Sequence, residues 1–242
     1  MSIIPLASKN TGSTVITGAA GALGAEVTRV LIERGYRIAA LDLPSARLDA
    51  LARPGSCLPI GMDLTSVSSW EDALKKIEAD LGPPTGAVLT AGGWAGGTPV
   101  HRMPADDSSW RRMLEMNLET TERSVQALLP GMVARIGGSI VVVGSRAVER
   151  PWENSGAAAY VASKAAVVAY AQTVAAEVIE LGVRVNAVLP SVIDTPTNRT
   201  AMPKADHLKW VSPEALSRVI AFLLSDDSRD VSGAAIPVYG RV

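Results

Sequence analysis

The sequence predicts a doubly wound α/β domain, a parallel seven-stranded sheet with helices on both faces. Three observations carry this. Short, β-branched apolar runs alternate with longer segments whose apolar residues recur at helical spacing. The short runs are apolar almost throughout, as strands buried on both faces require. A glycine-rich turn joins the first run to the first helical segment. Right-handed crossovers between parallel strands then place helices on both faces and ligands beyond the carboxyl ends of the strands.

The elements follow in order. Thr14-Val15-Ile16 is the first strand, and Ala22–Glu33 the first helix. Residues 37–41 form the second strand and 57–62 the third, followed by a helix over 67–80. Ala87-Val88-Leu89 is the fourth strand, before one long helix over 108–134. Residues 139–143 are the fifth strand, 156–181 a second long helix and 183–189 the sixth strand. The last helix, 213–225, has Ser212 as its cap and Pro213 at its first position, where a missing N–H costs nothing. Residues 234–238 are the seventh strand. Two long irregular stretches, 92–107 and 191–211, emerge at the ligand-bearing edge, and loops of that length are usually functional.

Composition excludes several function classes. The chain has 242 residues, 48% of them apolar, and a net charge of −1, which offers no reason for a nucleic acid or anionic membrane partner. Cys57 is the lone cysteine, and His101 and His207 the only histidines, so a disulfide is impossible and no metal site is expected. Residues 1–12 lack the basic stretch and apolar run of a secretory signal. No segment is a charge-free run long enough to span a bilayer. A cytoplasmic protein is the expectation.

The segment 17–24 (TGAAGALG) lies between strand and helix. Its glycines permit a sharp turn and close approach to a diphosphate, and the helix N-terminus supplies free N–H groups. A tight strand-to-helix connection would look the same. Asp42 ends the second strand about twenty residues on, where a carboxylate can accept from the adenosine ribose hydroxyls and repel a 2′-phosphate. NAD(H) is thus favoured over NADP(H), the alternative being a strand-end Asp capping the turn at Pro44. Farther on, Tyr160 and Lys164 stand a turn apart on one helix face. A phenol titrates near pH ~10, and a nearby fixed positive charge would lower that value, making a proton-transfer pair for an alcohol or ketone. A solvated helix face could carry the same two residues.

Taken together, these motifs resemble the short-chain dehydrogenase/reductase family nearly end to end. The turn is similar to its T-G-x-x-x-[GA]-x-G, with Thr17, Gly18, Ala22, Leu23 and Gly24. Asp63-Leu64 resembles its adenine-contacting position. Thr90-Ala91-Gly92 stands where the family has N-N-A-G, so the asparagines that brace the turn are missing. Asn117, Ser145, Tyr160 and Lys164 resemble its catalytic tetrad. Pro190 to Thr195 is similar to its P-G-x-x-x-T, with Ser191 replacing glycine and with Val192 and Thr195 toward the nicotinamide carboxamide. The resemblance implies a single Rossmann-type domain over 1–242, with a cofactor half at about 12–92 and a catalytic and substrate half at about 93–242. It also implies Tyr160 as acid/base, Lys164 on the nicotinamide ribose, Ser145 on the substrate oxygen and Asn117 ordering a relay water. The two long helices resemble the family's dimer-forming pair, so a homodimer or homotetramer is implied.

The loops at 91–97, 194–199 and 202–206 are similar to dihydropteridine reductases of the same family, which keeps pterin reduction as an alternative to a carbonyl or alcohol substrate. A dinucleotide binder without chemistry is a third reading. Trp94, Arg146, Trp152, Met202 and Trp210 fall in loops expected near the small-molecule substrate, and packing on the core is the competing reading for each Trp. Arg146 could pair with a substrate anion or with Glu149. Trp70 and Trp110 sit on helices and read as packing residues.

Overall fold

The structure is a computed structural model and describes residues 12–242. The signal-peptide reading of the first residues therefore lies largely outside the described residues. Among those described, the strands are β1 (Ser13–Thr17), β2 (Ile38–Asp42), β3 (Cys57–Gly61), β4 (Pro84–Leu89), β5 (Gly138–Val143), β6 (Val183–Pro190) and β7 (Ala235–Val238). They form one parallel sheet in the order β3-β2-β1-β4-β5-β6-β7. The order reverses between β1 and β4, which opens a crevice at their carboxyl ends.

Alternate residues of each central strand feed two cores. Val15, Leu41, Leu89, Ile140, Val142 and Val185 face α3 (Val67–Leu81), α5 (Thr120–Ala134) and α6 (Ala158–Val178). Ile16, Ala40, Val88, Val141 and Val188 face α1 (Ala22–Glu33) and α8 (Pro213–Leu224). Both sets are essentially water-free, and each such aliphatic side chain contributes about 1.5–3 kcal/mol on burial. Pro59 is tolerated because β3 is an edge strand and has no second ladder to supply. Ser66 and Ser212 cap α3 and α8 by accepting from Ser69 N–H and Ala215 N–H.

The long helix expected over 108–134 forms, with a π-helical segment (Leu114–Glu119) inside it between α4 (Ser109–Met113) and α5. The Asn117 side chain is drawn inward to partners distant in sequence, and the Thr120, Thr121 and Ser124 hydroxyls bond back to carbonyls one turn earlier. Hydroxyl back-bonding of this kind loosens the regular helical ladder. The two stretches read as irregular also contain short helices, including α7 (Pro196–Ala201). Outside these, α2 (Ala46–Asp49) follows β2. No helix among the described residues is long and apolar enough to cross a membrane. None of their His, Cys, Asp and Glu residues cluster as a metal site would require.

Candidate active site

The glycine turn leaves β1 at Thr17. Gly18 has φ +67, and a β-carbon there would lie 2.7 Å from Ala91 N. Gly24 is closed to side chains as well, since a β-carbon would lie 2.2 Å from Gly18 O. The N-terminus of α1 carries no side-chain cap, and its N-cap is Gly21. Its first N–H groups and positive dipole end are thus available to an anion, such as a diphosphate. Ala22 is exposed at this N-terminus, with Leu23 partly buried behind it. The missing asparagine is replaced in function by Thr90, whose hydroxyl donates to Thr17 O at 2.7 Å. Ala91 N–H adds a long bond of 3.4 Å to the Thr17 hydroxyl. The turn is therefore braced by a threonine.

A cleft of about 300 Å³ opens beside the turn. It brings together Gly18, Asp42, Asp63, Leu64, Ala91 and Gly92. The Asp42 carboxylate accepts from Ala20 N–H at 2.9 Å and Leu43 N–H at 2.8 Å, so it ties the turn to β2 while facing the cleft. The Thr65 N–H and hydroxyl both donate to Asp63 and hold its carboxyl below the usual range. Leu43, Glu115, Met116 and Thr120 also line the cleft and were missed. Leu43, 64% exposed beside Asp42, was findable as an apolar residue after a strand end. The others were not, because a regular helix does not turn them this way. Pro190 ends β6, Val192 and Thr195 follow it outside the lining of this cleft, and Thr195 caps α7 by accepting from Asn198 N–H at 3.2 Å.

Four polar residues converge on the ends of β4 and β5. Lys164 is buried, and its Nζ donates to Val143 O at 2.8 Å, so the solvated-face reading of this helix is wrong. Burial lowers its pKa to about 8. Asn117 is fully buried. Its Oδ1 accepts from Gly93 N–H at 2.9 Å and its Nδ2 donates to Ser163 Oγ at 2.9 Å. Gly92 packs against both residues: a β-carbon there would sit 2.4 Å from Asn117 Oδ1 and 3.4 Å from Lys164 Nζ. Ser145, at the start of the loop after β5, has its hydroxyl beside the Tyr160 phenol, and its Oγ accepts from Ala147 N–H at 3.1 Å. The direction of the Tyr160 shift corrects the sequence-based expectation. Burial raises the phenol's pKa, the neighbouring Ser145 hydroxyl partly opposes this, and Lys164 is not among the causes. One of the lysine's three N–H groups donates to a backbone carbonyl.

The residues expected around the substrate are scattered along a rim. Trp94 is 62% exposed and Trp152 74% exposed, so neither is a core anchor. Trp94 lies across Gly96, where a β-carbon would meet its Cζ2 at 2.8 Å and the Ala157 side chain at 2.9 Å. That places the indole one helical turn before Tyr160. Trp210 is partly buried against His207, with ring centroids 4.4 Å apart, and Met202 lends its carbonyl to His207 Nε2. Arg146 pairs with Glu153 at 3.4 Å and not with Glu149. Trp70 is a packing residue, buried and donating to Leu64 O at 2.9 Å. Trp110 is not. It is 55% exposed and lines, with Leu114 and Leu118, a shallow groove of about 690 Å³ along the α4 face.

Residues 13–206 match the family model for short chain dehydrogenases. The chain is 31% identical over 239 residues to a 3-oxoacyl-[acyl-carrier-protein] reductase of Thermotoga maritima, covering 93% of this chain and 95% of that one. A crystal structure of a short chain dehydrogenase/reductase family oxidoreductase from Burkholderia thailandensis superposes with a TM-score of 0.83 at 34% identity, over 95% of this chain and 91% of the other. A 3-oxoacyl-[acyl-carrier protein] reductase with bound NAD from Brucella melitensis gives 0.83 at 26% identity, over 100% and 98% of the two chains.

Proposed function

The chain belongs to the short-chain dehydrogenase family and is an oxidoreductase with a nicotinamide cofactor and a small-molecule substrate, and from that premise we propose that it moves a hydride between NAD(H) and a carbonyl or secondary alcohol. The observation that carries this is the convergence of Asn117 and Lys164 on Gly92, with Tyr160 one turn before the lysine, at the same sheet edge as a glycine cradle that admits no side chain. Bound NADH would supply the hydride. Ser145 donates to the carbonyl oxygen and fixes it beside Tyr160. Tyr160 passes its phenolic proton to that oxygen as the carbonyl carbon gains the hydride, and takes a proton back in alcohol oxidation. Lys164, beside Gly92, would hold the nicotinamide ribose hydroxyls. Asn117, pinned to Gly93 and Ser163, keeps the backbone around Lys164 in place for a relay water.

Purified protein is assayed for NADH oxidation with ketones, 3-oxoacyl thioesters and a quinonoid dihydropterin. Carbonyl turnover supports the proposal. Turnover of the pterin alone replaces it with pterin reduction, the reading suggested by the Trp94 loop. NADH binding with no turnover on any of them sinks both.

The charge of the cleft favours NAD over NADP. Asp42, Asp63 and Glu115 line it, and no Lys or Arg does among the described residues. A 2′-phosphate there would meet carboxylates and no cation. Asp42→Asn keeps an acceptor for Ala20 or Leu43 but removes the charge. It is expected to shift the ratio of kcat/KM for NADH over NADPH toward NADPH by roughly 10–100-fold, the loss of one charged hydrogen bond plus repulsion. A wild-type enzyme that prefers NADPH contradicts the assignment.

For self-association, we place a second copy on the Trp110, Leu114 and Leu118 face as a homodimer or homotetramer. Arg111 and Arg123 alternate there with Glu115, Glu119 and Glu122, a pattern that can complement itself across a two-fold axis. A monomeric mass by light scattering at micromolar concentration rules this out.

A further inference from the structure

Tyr239 lies just past β7, far in sequence from the site, yet it touches both loops that flank the proposed reaction centre. Its phenol donates to the Glu149 carboxylate, and its ring lies under the Arg146 guanidinium, 5.9 Å from the ring centroid. Arg146 and Glu149 bracket the 3₁₀ turn that begins at Ser145. On the other side, the Tyr239 carbonyl accepts from Ser191 Oγ at 2.7 Å, and Ser191 N–H bonds Val238 O at 3.2 Å. Ser191 stands where the resembling pattern has glycine, so the Oγ bond to the Tyr239 carbonyl belongs to this chain's own sequence. Ser191 leads directly into Val192 and Thr195.

We propose that Tyr239 is a positioning residue that sets the Ser145 loop against the loop after β6, and so sets the substrate oxygen against the nicotinamide. The inference rests on the carbonyl reductase reading above. Neither loop carries this constraint alone. The Ser145 turn is held by its own Ala147 N–H bond and by the α6 packing, and the loop after β6 by the Val192–Val211 pairing. Tyr239 joins them through one side chain and one carbonyl. Burial, followed by the bond to Glu149, pushes its phenol up to about 12, so the donor persists across the assay range. A misplacement of ~1 Å between reacting groups can cost as much as 10²-fold in rate.

The test uses the whole chain with NADH and whichever ketone the wild type reduces best. Wild-type inactivity on every carbonyl defeats the reading of the reaction, and this proposal with it. Given turnover, Tyr239→Phe is expected to lower kcat roughly tenfold while NADH Kd, read by fluorescence, stays within about twofold. Glu149→Ala gives the same loss, Glu149→Gln, which still accepts the phenol's hydrogen bond, restores most of it, and the Tyr239→Phe/Glu149→Ala pair falls no further than either single change. A purely structural role lowers Tm and leaves kcat alone. Wild-type kcat in Tyr239→Phe, or multiplicative losses in the pair, overturns the proposal even if the wild type is an active reductase.

Discussion

Replacing Tyr160 with Phe is expected to lower turnover of a carbonyl substrate by roughly 10³-fold, with NADH affinity unchanged within about twofold. The substitution removes one oxygen and keeps the ring that fills the partly buried site on α6. It leaves Ser145 with its Ala147 N–H donor at 3.1 Å, so the loop after β5 retains its local geometry. What is lost is the proton. Because burial raises the phenol, wild-type Tyr160 stays in its acid form through neutral pH, which suits reduction. Oxidation of an alcohol needs the phenolate, so its kcat/KM is expected to climb toward alkaline pH while reduction stays flat near pH ~7. Steady-state rates in both directions across pH, wild type beside Tyr160→Phe, check this. A Phe variant with near wild-type rates removes Tyr160 from the chemistry.

The second large effect separates activity from stability. Lys164→Met is expected to abolish turnover and yet raise Tm at pH ~7. The amine is buried and makes one recorded hydrogen bond, to Val143 O, and burial lowers its pKa from 10.5 to about 8. In the unfolded chain it titrates near 10.5. Between those values the unfolded state holds a proton that the folded state has released, so wild-type stability rises with pH across this window. Below about 8 both states are charged, and the fold bears the full cost of burying the ammonium. That cost is about 3 kcal/mol, from ~1.4 kcal/mol per pKa unit. Losing the Val143 bond returns about 1–2 kcal/mol of it. The net gain for methionine is about 1–2 kcal/mol, or roughly 3–6 °C in Tm for a chain of this size. The gain should shrink as pH rises from 8 to 10.5. Thermal melts at pH ~7 and ~10.5 measure it, and equal differences at both values would show that the amine's charge is not the cause.

The strands were legible because each is a short apolar run buried on both faces, and burial on both faces leaves no alternative pattern. Their parallel pairing followed from the alternation with helices, while their order in the sheet is seen only in the structure. The glycine cradle was legible for a local reason: Gly18 and Gly24 lie where backbone meets backbone, and only glycine fits. Asn117, Ser145, Tyr160 and Lys164 were singled out by spacing and resemblance, and the fold does bring them to one end of β4 and β5.

What escaped the sequence was decided by contacts between residues far apart in it. The π-helical segment inside the helix over 108–134 carries Asn117, which reaches Gly93 and Ser163 across 24 and 46 positions. Glu115, Met116 and Thr120, on or next to that segment, line the cleft. Whether Trp94 and Trp152 would be buried or exposed, and whether Arg146 would meet Glu149 or Glu153, depended on how loops settle on a finished surface. The Tyr160 phenol shifts upward and not downward because burial, which depends on the packed fold, outweighs what a neighbouring charge four residues away suggests. The sequence by itself thus determined what is periodic or sterically forced, the alternation of strands and helices and the glycines of the turn. Only the tertiary structure decided the electrostatics and partners of the site, because desolvation and hydrogen bonding depend on neighbours that no local pattern brings together.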